Sequence, residues 1–225
     1  MSDSNFKRGI VLTLSMALSM VLSMTAQSQE IARLYAARAP AGSAYVRVVN
    51  PGGPALAVEF AGKRGMLDTR HAPATDYRIV DASRPMTLEV NGRALAPIPV
   101  QAGTFNTIAV IDGAALPLVD ALDNRDDLKA ELRFYNFARG CQASLALRSG
   151  GAVFENVAYP VGVKRNINPV KAELVATCAG GGLSAPVMLP TLKSGGHASL
   201  FLSGSPAQPR LQVQADATEA YTGAR

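Results

Sequence analysis

Two histidines, His71 and His197, and two cysteines, Cys141 and Cys178, are the scarce reactive side chains of this 225-residue sequence. Acid–base or metal chemistry at His71 would draw on Asp68 and Asp76, which flank it in the segment DTRHAPATD. A metal would want a second imidazole, and a general base would want a fixed carboxylate and a nucleophile. His197 opens the apolar run HASLFL and is expected to cap that run or to face solvent. No serine sits in a GxSxG turn or in the GDS-type turn of secreted acetyl esterases, and neither a P-loop nor a dinucleotide fingerprint occurs. The Gly180-Gly181-Gly182 run follows Cys178 in a strand-rich region and reads as a hairpin turn, not a phosphate cradle. The inventory predicts no catalytic residue, no metal and no cofactor: a chain that binds rather than reacts.

The cysteines read differently once the N-terminus is considered. Lys7 and Arg8 precede an uncharged run from Gly9 to Leu22, and Ala26-Gln27-Ser28 supplies small residues for cleavage. Fourteen apolar residues fall short of the roughly 20 that a spanning helix needs, so residues 1–28 read as a cleaved signal peptide. Export points to the periplasm, where an isolated pair of cysteines bonds. With no CxxC and no histidine nearby in sequence, Cys141 and Cys178 are expected to form a structural disulfide.

Basic residues form the second inventory. Arg47 and Arg133 occupy matched places in AYVRVVN (44–50) and AELRFYN (130–136), 86 residues apart. The segment VGVKRNINPVK, residues 161–171, carries Lys164, Arg165, Asn166, Asn168 and Lys171. Arg47, Arg133, Lys164, Arg165, Asn168 and Lys171 are therefore the candidate contacts for a protein or a polysaccharide. The competing reading of 161–171 is a solvated edge strand guarded by charge and Pro169. Net charge is +5, and +4 once residues 1–28 are removed. That is too dilute for nucleic acid but compatible with an anionic polysaccharide or an acidic protein. Trp is absent and aromatics make up 6%, which argues against an open platform for sugar rings.

The elements that must position these residues look like strands. Short apolar segments alternate with Gly, Pro, Asn and Asp turns, and Asn91-Gly92 and Asp112-Gly113 are tight-turn dipeptides. In AYVRVVN the period of two sets Val46 and Val48 on one face and Tyr45 and Arg47 on the other. In AELRFYN, Leu132 and Phe134 take the Val places and Arg133 that of Arg47. The expectation is an antiparallel, half-buried sheet with both arginines pointing outward. Two further segments recur in the same order: PMTLEV with PVKAELV, and GTFNTIAVIDG with GGHASLFLSG. The reading is all-β: two tandem β-sandwich domains of common ancestry. Boundaries fall at 29–119 for the first, 120–128 for a solvated acidic linker (DALDNRDDL), 129–214 for the second and 215–225 for a flexible tail. Helix is expected at most near 30–37, with a turn near 123–129.

Three strings then carry a resemblance: LYAARAPAGSAYVRVVN at 34–50, LRFYNFARG at 132–140 and INPVK at 167–171. They resemble the AlgF family, periplasmic proteins of alginate O-acetylation, over roughly residues 34–214. The resemblance implies a noncatalytic accessory of exopolysaccharide O-acetylation. Its implied partners are a membrane-bound acyltransferase and SGNH-type periplasmic acetyltransferases, and it brings no catalytic residue. Two other classes compete. A carbohydrate-binding sandwich would need a groove with aromatic and polar groups, and an acetyl esterase or transferase would need a Ser–His pair close in space.

Overall fold

The alternating segments become strands throughout the computed structural model, which describes residues 39–121 and 126–221. The expected signal peptide and the possible helix at 30–37 lie outside those residues. The strands of the first half are β1 (Ser43–Val49), β2 (Leu56–Phe60), β3 (Lys63–Leu67), β4 (Arg78–Asp81), β5 (Glu89–Val90), β6 (Arg93–Ala94), β7 (Phe105–Ile111) and β8 (Ala114–Asp120). Those of the second are β9 (Ala130–Asn136), β10 (Ala143–Leu147), β11 (Ala152–Val157), β12 (Val161–Ile167), β13 (Glu173–Cys178), β14 (Val187–Met188), β15 (His197–Ser205) and β16 (Gln208–Ala215). No helix occurs among the described residues.

The strands form four sheets in two groups of two. The order β4-β1-β7-β8 recurs as β12-β9-β15-β16, and β3-β2-β5-β6 recurs as β11-β10-β13-β14. Every strand of the first half thus has its counterpart eight strands later. In the first half Val46, Val48, Ile108 and Val110 pack against Val58, Phe60, Leu67 and Val90 of the facing sheet. In the second, Leu132, Phe134, Leu200 and Leu202 meet Leu145, Val157, Leu174 and Ala176. Each such large side chain contributes about 1.5–3 kcal/mol of burial. The Cys141–Cys178 disulfide forms inside that second core, across 37 residues.

Turn chemistry follows the sequence. Asn91-Gly92 joins β5 to β6 and Asp112-Gly113 joins β7 to β8, each with positive φ at both residues, as a type I′ hairpin requires. Strand β8 escapes the sequence pattern because Pro117 sits in its middle. The strand tolerates it because it lies at a sheet edge and pairs only with β7.

Direction and exposure depart from expectation. β1 pairs with β7, and β9 with β15, in parallel. A period of two places side chains on faces but says nothing about the direction of the neighbour. The faces of β1 and β9 that carry Arg47 and Arg133 do not meet water either. Val49, Ala109, Tyr135, Phe137 and Phe201 form a third apolar cluster drawn from both halves, so the sheets containing β1 and β9 are covered on both sides. β9 is buried at all seven positions.

The 37-residue loop closed by the disulfide is worth at most about 4 kcal/mol in the chain-entropy picture. Alkylation of native protein followed by mass spectrometry is expected to find no free thiol. Reduction is expected to lower the calorimetric melting temperature. Two alkylatable cysteines in native material would refute the pairing.

Candidate functional site at the seam between the halves

The seam is built around Arg47, the largest fully buried side chain, 1% exposed. Its position in β1 follows from the same alternation that sends Val46 and Val48 into the first core. The guanidinium donates through Nε to Thr107 Oγ1 at 2.9 Å and through Nη1 to Asp216 Oδ1 at 2.7 Å. Nη2 donates to Tyr135 Oη at 2.9 Å and Ser199 Oγ at 2.8 Å. The rings of Tyr77, Tyr135 and Phe201 stand 4.5, 5.3 and 5.3 Å from the guanidinium carbon. Burial alone would make this cation easier to deprotonate. Burial is the largest single influence, but Asp216, Tyr135, Tyr77 and Asp120 together outweigh it and hold the group charged, well above its ordinary range.

The hydroxyls relay the polarity. Thr107 and Tyr135 accept from Arg47 and donate to Asp120, at 2.8 and 2.6 Å, and Tyr77 also donates to Asp120 at 2.7 Å. Ser199 accepts from Arg47 and donates to Asp216 Oδ2 at 2.8 Å. Thr107, Tyr135 and Ser199 are each spent in one direction, from guanidinium toward carboxylate. Burial, with Asp120 beside it, pushes the Tyr135 phenol up to about 12 against the pull of Arg47, so it stays protonated as that donor.

The network is a crossed duplicate. Asp120 ends β8 and Asp216 directly follows β16, the counterpart strand. Arg47 of the first half reaches Asp216 of the second, and Arg133 of the second faces Asp120 of the first at 3.8 Å. Thr107 lies opposite Arg47 in the ladder as Ser199 lies opposite Arg133. The two halves then differ. Tyr45 and Phe105 are ladder neighbours that stack at 4.4 Å, whereas Glu131 and His197, at the matching places, are charged or polar.

Glu131 gathers the second half's cations. Arg133 Nε donates to its Oε1 at 2.7 Å, Lys164 Nζ lies 3.4 Å from Oε2, and His197 Nδ1 stands 3.3 Å from Oε1. Burial opposes ionisation of Glu131, but the His197 hydrogen bond and the Arg133 and Lys164 charges prevail and hold the carboxyl at about 2. Glu131, Arg133 and His197 border a cleft of about 290 Å³ that also takes in Tyr77, Phe105 and Asp216. No group of three or more His, Cys, Asp or Glu that could hold a metal occurs among the described residues.

The sequence candidates are not brought to one surface. Arg47 and Arg133, expected outward, are buried because the other half covers their face. Lys164 turns toward Glu131, while Arg165, its neighbour in β12, points the other way and donates to the Val153 carbonyl at 3.2 Å. Asn168 and Lys171 lie exposed beyond the strand. His71 is exposed, with Nδ1 3.1 Å from Asp68 Oδ2. His197, expected as a cap or a solvent-facing residue, is half-buried against Glu131. Asp120, expected in a solvated linker, is buried in the network. Asp216, expected in a flexible tail, is the partner of Arg47, and Tyr77 bonds the backbone on either side of Thr218. Sequence reasoning passed over Asp120, Asp216, Thr107, Ser199 and Glu131. The available signal was an Asp closing the last strand of each duplicate, matched to an Arg in the first.

Fold and seam together define an all-β protein of paired sandwiches whose strand charges are turned inward upon one another. The family model described as alginate O-acetyl transferase AlgF matches residues 14–198. The chain belongs to the AlgF family. It is 28% identical over 193 residues to the alginate biosynthesis protein AlgF of Pseudomonas aeruginosa, covering 85% of this chain and 87% of that protein. Against the alginate biosynthesis protein AlgF of Pseudomonas putida it is 28% identical over 205 residues, covering 86% and 88%. A solved carbohydrate-binding module of family CBM26 from Eubacterium rectale, in complex with maltoheptaose, aligns with 79% of this chain and 98% of its own at 12% identity. Its TM-score of 0.28 is too low to bear on fold or function.

Two outcomes follow from the seam. Arg47→Ala strands Asp216 without its cation and is expected to cost about 3–5 kcal/mol in urea unfolding, whereas replacing both by apolar residues of similar volume is expected to recover much of that loss. Equal destabilisation by the single and double variants would refute the pairing. Glu131 titrates at about 2 in the fold against an ordinary 4.5. A carboxyl depressed in this way contributes stability that is complete above the ordinary value and lost as pH falls toward the folded one. Between pH 4.5 and 2, wild type is therefore expected to lose stability more steeply than Glu131→Gln. Parallel acid limbs in thermal melts would contradict the clustering.

Proposed function

We propose that this protein is an exported, noncatalytic accessory of exopolysaccharide O-acetylation. In this reading residues 1–28 are a cleaved signal peptide, the periplasm is the site of action, and the two halves share one ancestry. The protein links a membrane-bound acyltransferase to SGNH-type acetyltransferases. Family membership supplies the pathway, alginate O-acetylation, as the family's own description has it. The observation that carries the noncatalytic part is the saturation of the seam: Ser199 and Thr107 are each bonded both to Arg47 and to a carboxylate, which leaves neither free as a nucleophile. Both histidines make their side-chain contacts to carboxylates, Asp68 and Glu131, and none to a serine, threonine or cysteine among the described residues. Activated nucleophiles need that contact with a base. The exposed Arg165, Asn168 and Lys171 remain available for docking.

A second reading has its own support. The family model's description names an O-acetyl transferase, and His197 with Glu131 borders a cleft large enough for an acetyl ester. The two readings separate cleanly in one assay. Purified protein is expected to leave an activated acetyl ester at its background rate of hydrolysis. Turnover that disappears in His197→Ala, with the fold intact by circular dichroism, would establish the catalytic reading instead.

A further inference from the structure

One end of the seam holds a second cleft, of about 400 Å³, lined by matching loops of the two halves. Residues 51–53 follow β1 as 137–139 follow β9, and residues 110–112 match 202–204 of β15. The duplicates differ in chemistry here. Where the second half places Arg139, the first has Gly53, and a Cβ on Gly53 would meet nothing within 4 Å. A small residue and a cation thus stand at matching places in the cleft lining.

Three polar groups of this cleft are under-used. Ser203 is 5% exposed, and its hydroxyl has no hydrogen-bond partner among the described residues. Arg210 sits directly opposite Ser203 in the β15–β16 ladder, and no ion pair is seen for it among those residues. Arg139 pairs with Asp112 at 3.5 Å, with both side chains largely in water. Buried donors are nearly always satisfied, and one left unspent at a cleft wall calls for a partner. Hydroxyl and guanidinium donors together suit a carboxylate, which two guanidinium forks can clamp.

The walls choose between carboxylate sources. Phe137 is buried and stacked with Tyr135 and Phe201, and the Arg139 guanidinium lies 5.8 Å over the Tyr159 ring. Phe137 is thus closed to a sugar ring, and the Tyr159 ring carries the Arg139 cation on one face. Resting on the accessory reading above, we propose that this cleft docks an acidic peptide segment of a partner protein. One carboxylate of that segment is seated against Arg210 and the Ser203 hydroxyl, with Arg139 as the second clamp.

The test uses the mature chain and a capped Glu/Asp-rich hexapeptide, with its Gln/Asn analogue, an oligouronate and inorganic phosphate as comparison probes, followed by amide NMR and calorimetric titration. The acidic peptide is expected to shift residues 52–53, 139, 203–204 and 210, and to bind more weakly as salt rises. Arg139→Gln/Arg210→Gln is expected to weaken it at least about tenfold, through loss of the charge-assisted bonds. Ser203→Ala is the discriminating variant. It removes an unspent buried hydroxyl, so thermal stability is expected to hold or rise while affinity falls about threefold. The proposal is overturned by shifts elsewhere, by undiminished binding to the double variant, by no binding, or by oligouronate or phosphate binding here as tightly as the peptide. In cells, normal polymer acetylation by the folded double variant would sink the cleft and leave the accessory reading standing. Turnover in the acetyl-ester assay would sink that reading independently.

Discussion

A guanidinium with 1% exposure is the constraint on which the rest of the molecule depends. Taking Arg47 out of water is costly, and only a set of well-placed acceptors makes the fold compatible with it. Those acceptors come from β7, β9, β15 and the residue after β16, so both halves must be folded and in register for the charge to be tolerated. Slipping one half against the other by a single residue would strand Arg47, Asp216 and Asp120 together. The pair therefore acts chiefly on geometry: it fixes which faces of the two sandwiches meet.

The recurrence of one strand order in both halves explains how such a seam is assembled. Matching strand orders present equivalent faces, and the crossed pairing of each half's Arg with the other's Asp satisfies both with one arrangement. At the periphery the halves differ. The first has the Tyr45–Phe105 stack, and the second has Glu131 and His197 at those places, with Lys164 reaching in from β12. Close approach is kept by Gly162: a Cβ there would stand 2.8 Å from the Tyr135 ring. At the other end the halves differ again, with Gly53 and Arg139 at matching places in the cleft lining.

For function, the seam uses up chemistry. Arg, Asp, Ser, Thr and Tyr in one buried cluster resemble a catalytic inventory by composition, yet the Thr107, Tyr135 and Ser199 hydroxyls are each committed to Arg47 on one side and a carboxylate on the other. A family named for acetyl transfer is here represented by a chain whose buried polar groups mainly join its halves.

Periodicity and turn dipeptides determined most of the strands, because alternation and the need for positive φ are local properties. β7 falls within GTFNTIAVIDG and β15 within GGHASLFLSG and the residue after it, where the pattern puts them, and Asp112-Gly113 turns where it must. The faces were legible too: Val46 and Val48 on one, Arg47 on the other. The Cys141–Cys178 pair followed from the scarcity of cysteine and the reading of export. Tertiary structure alone decided what covers the Arg face, since a face read as polar is the same in sequence whether it meets water or a partner bearing Asp216. It also decided that β1 and β9 have parallel neighbours, because strand direction depends on how distant segments return. The partnership of Arg47 with Asp216 spans 169 residues, and no local rule links side chains so far apart. Only packing one duplicate on the other brings them together.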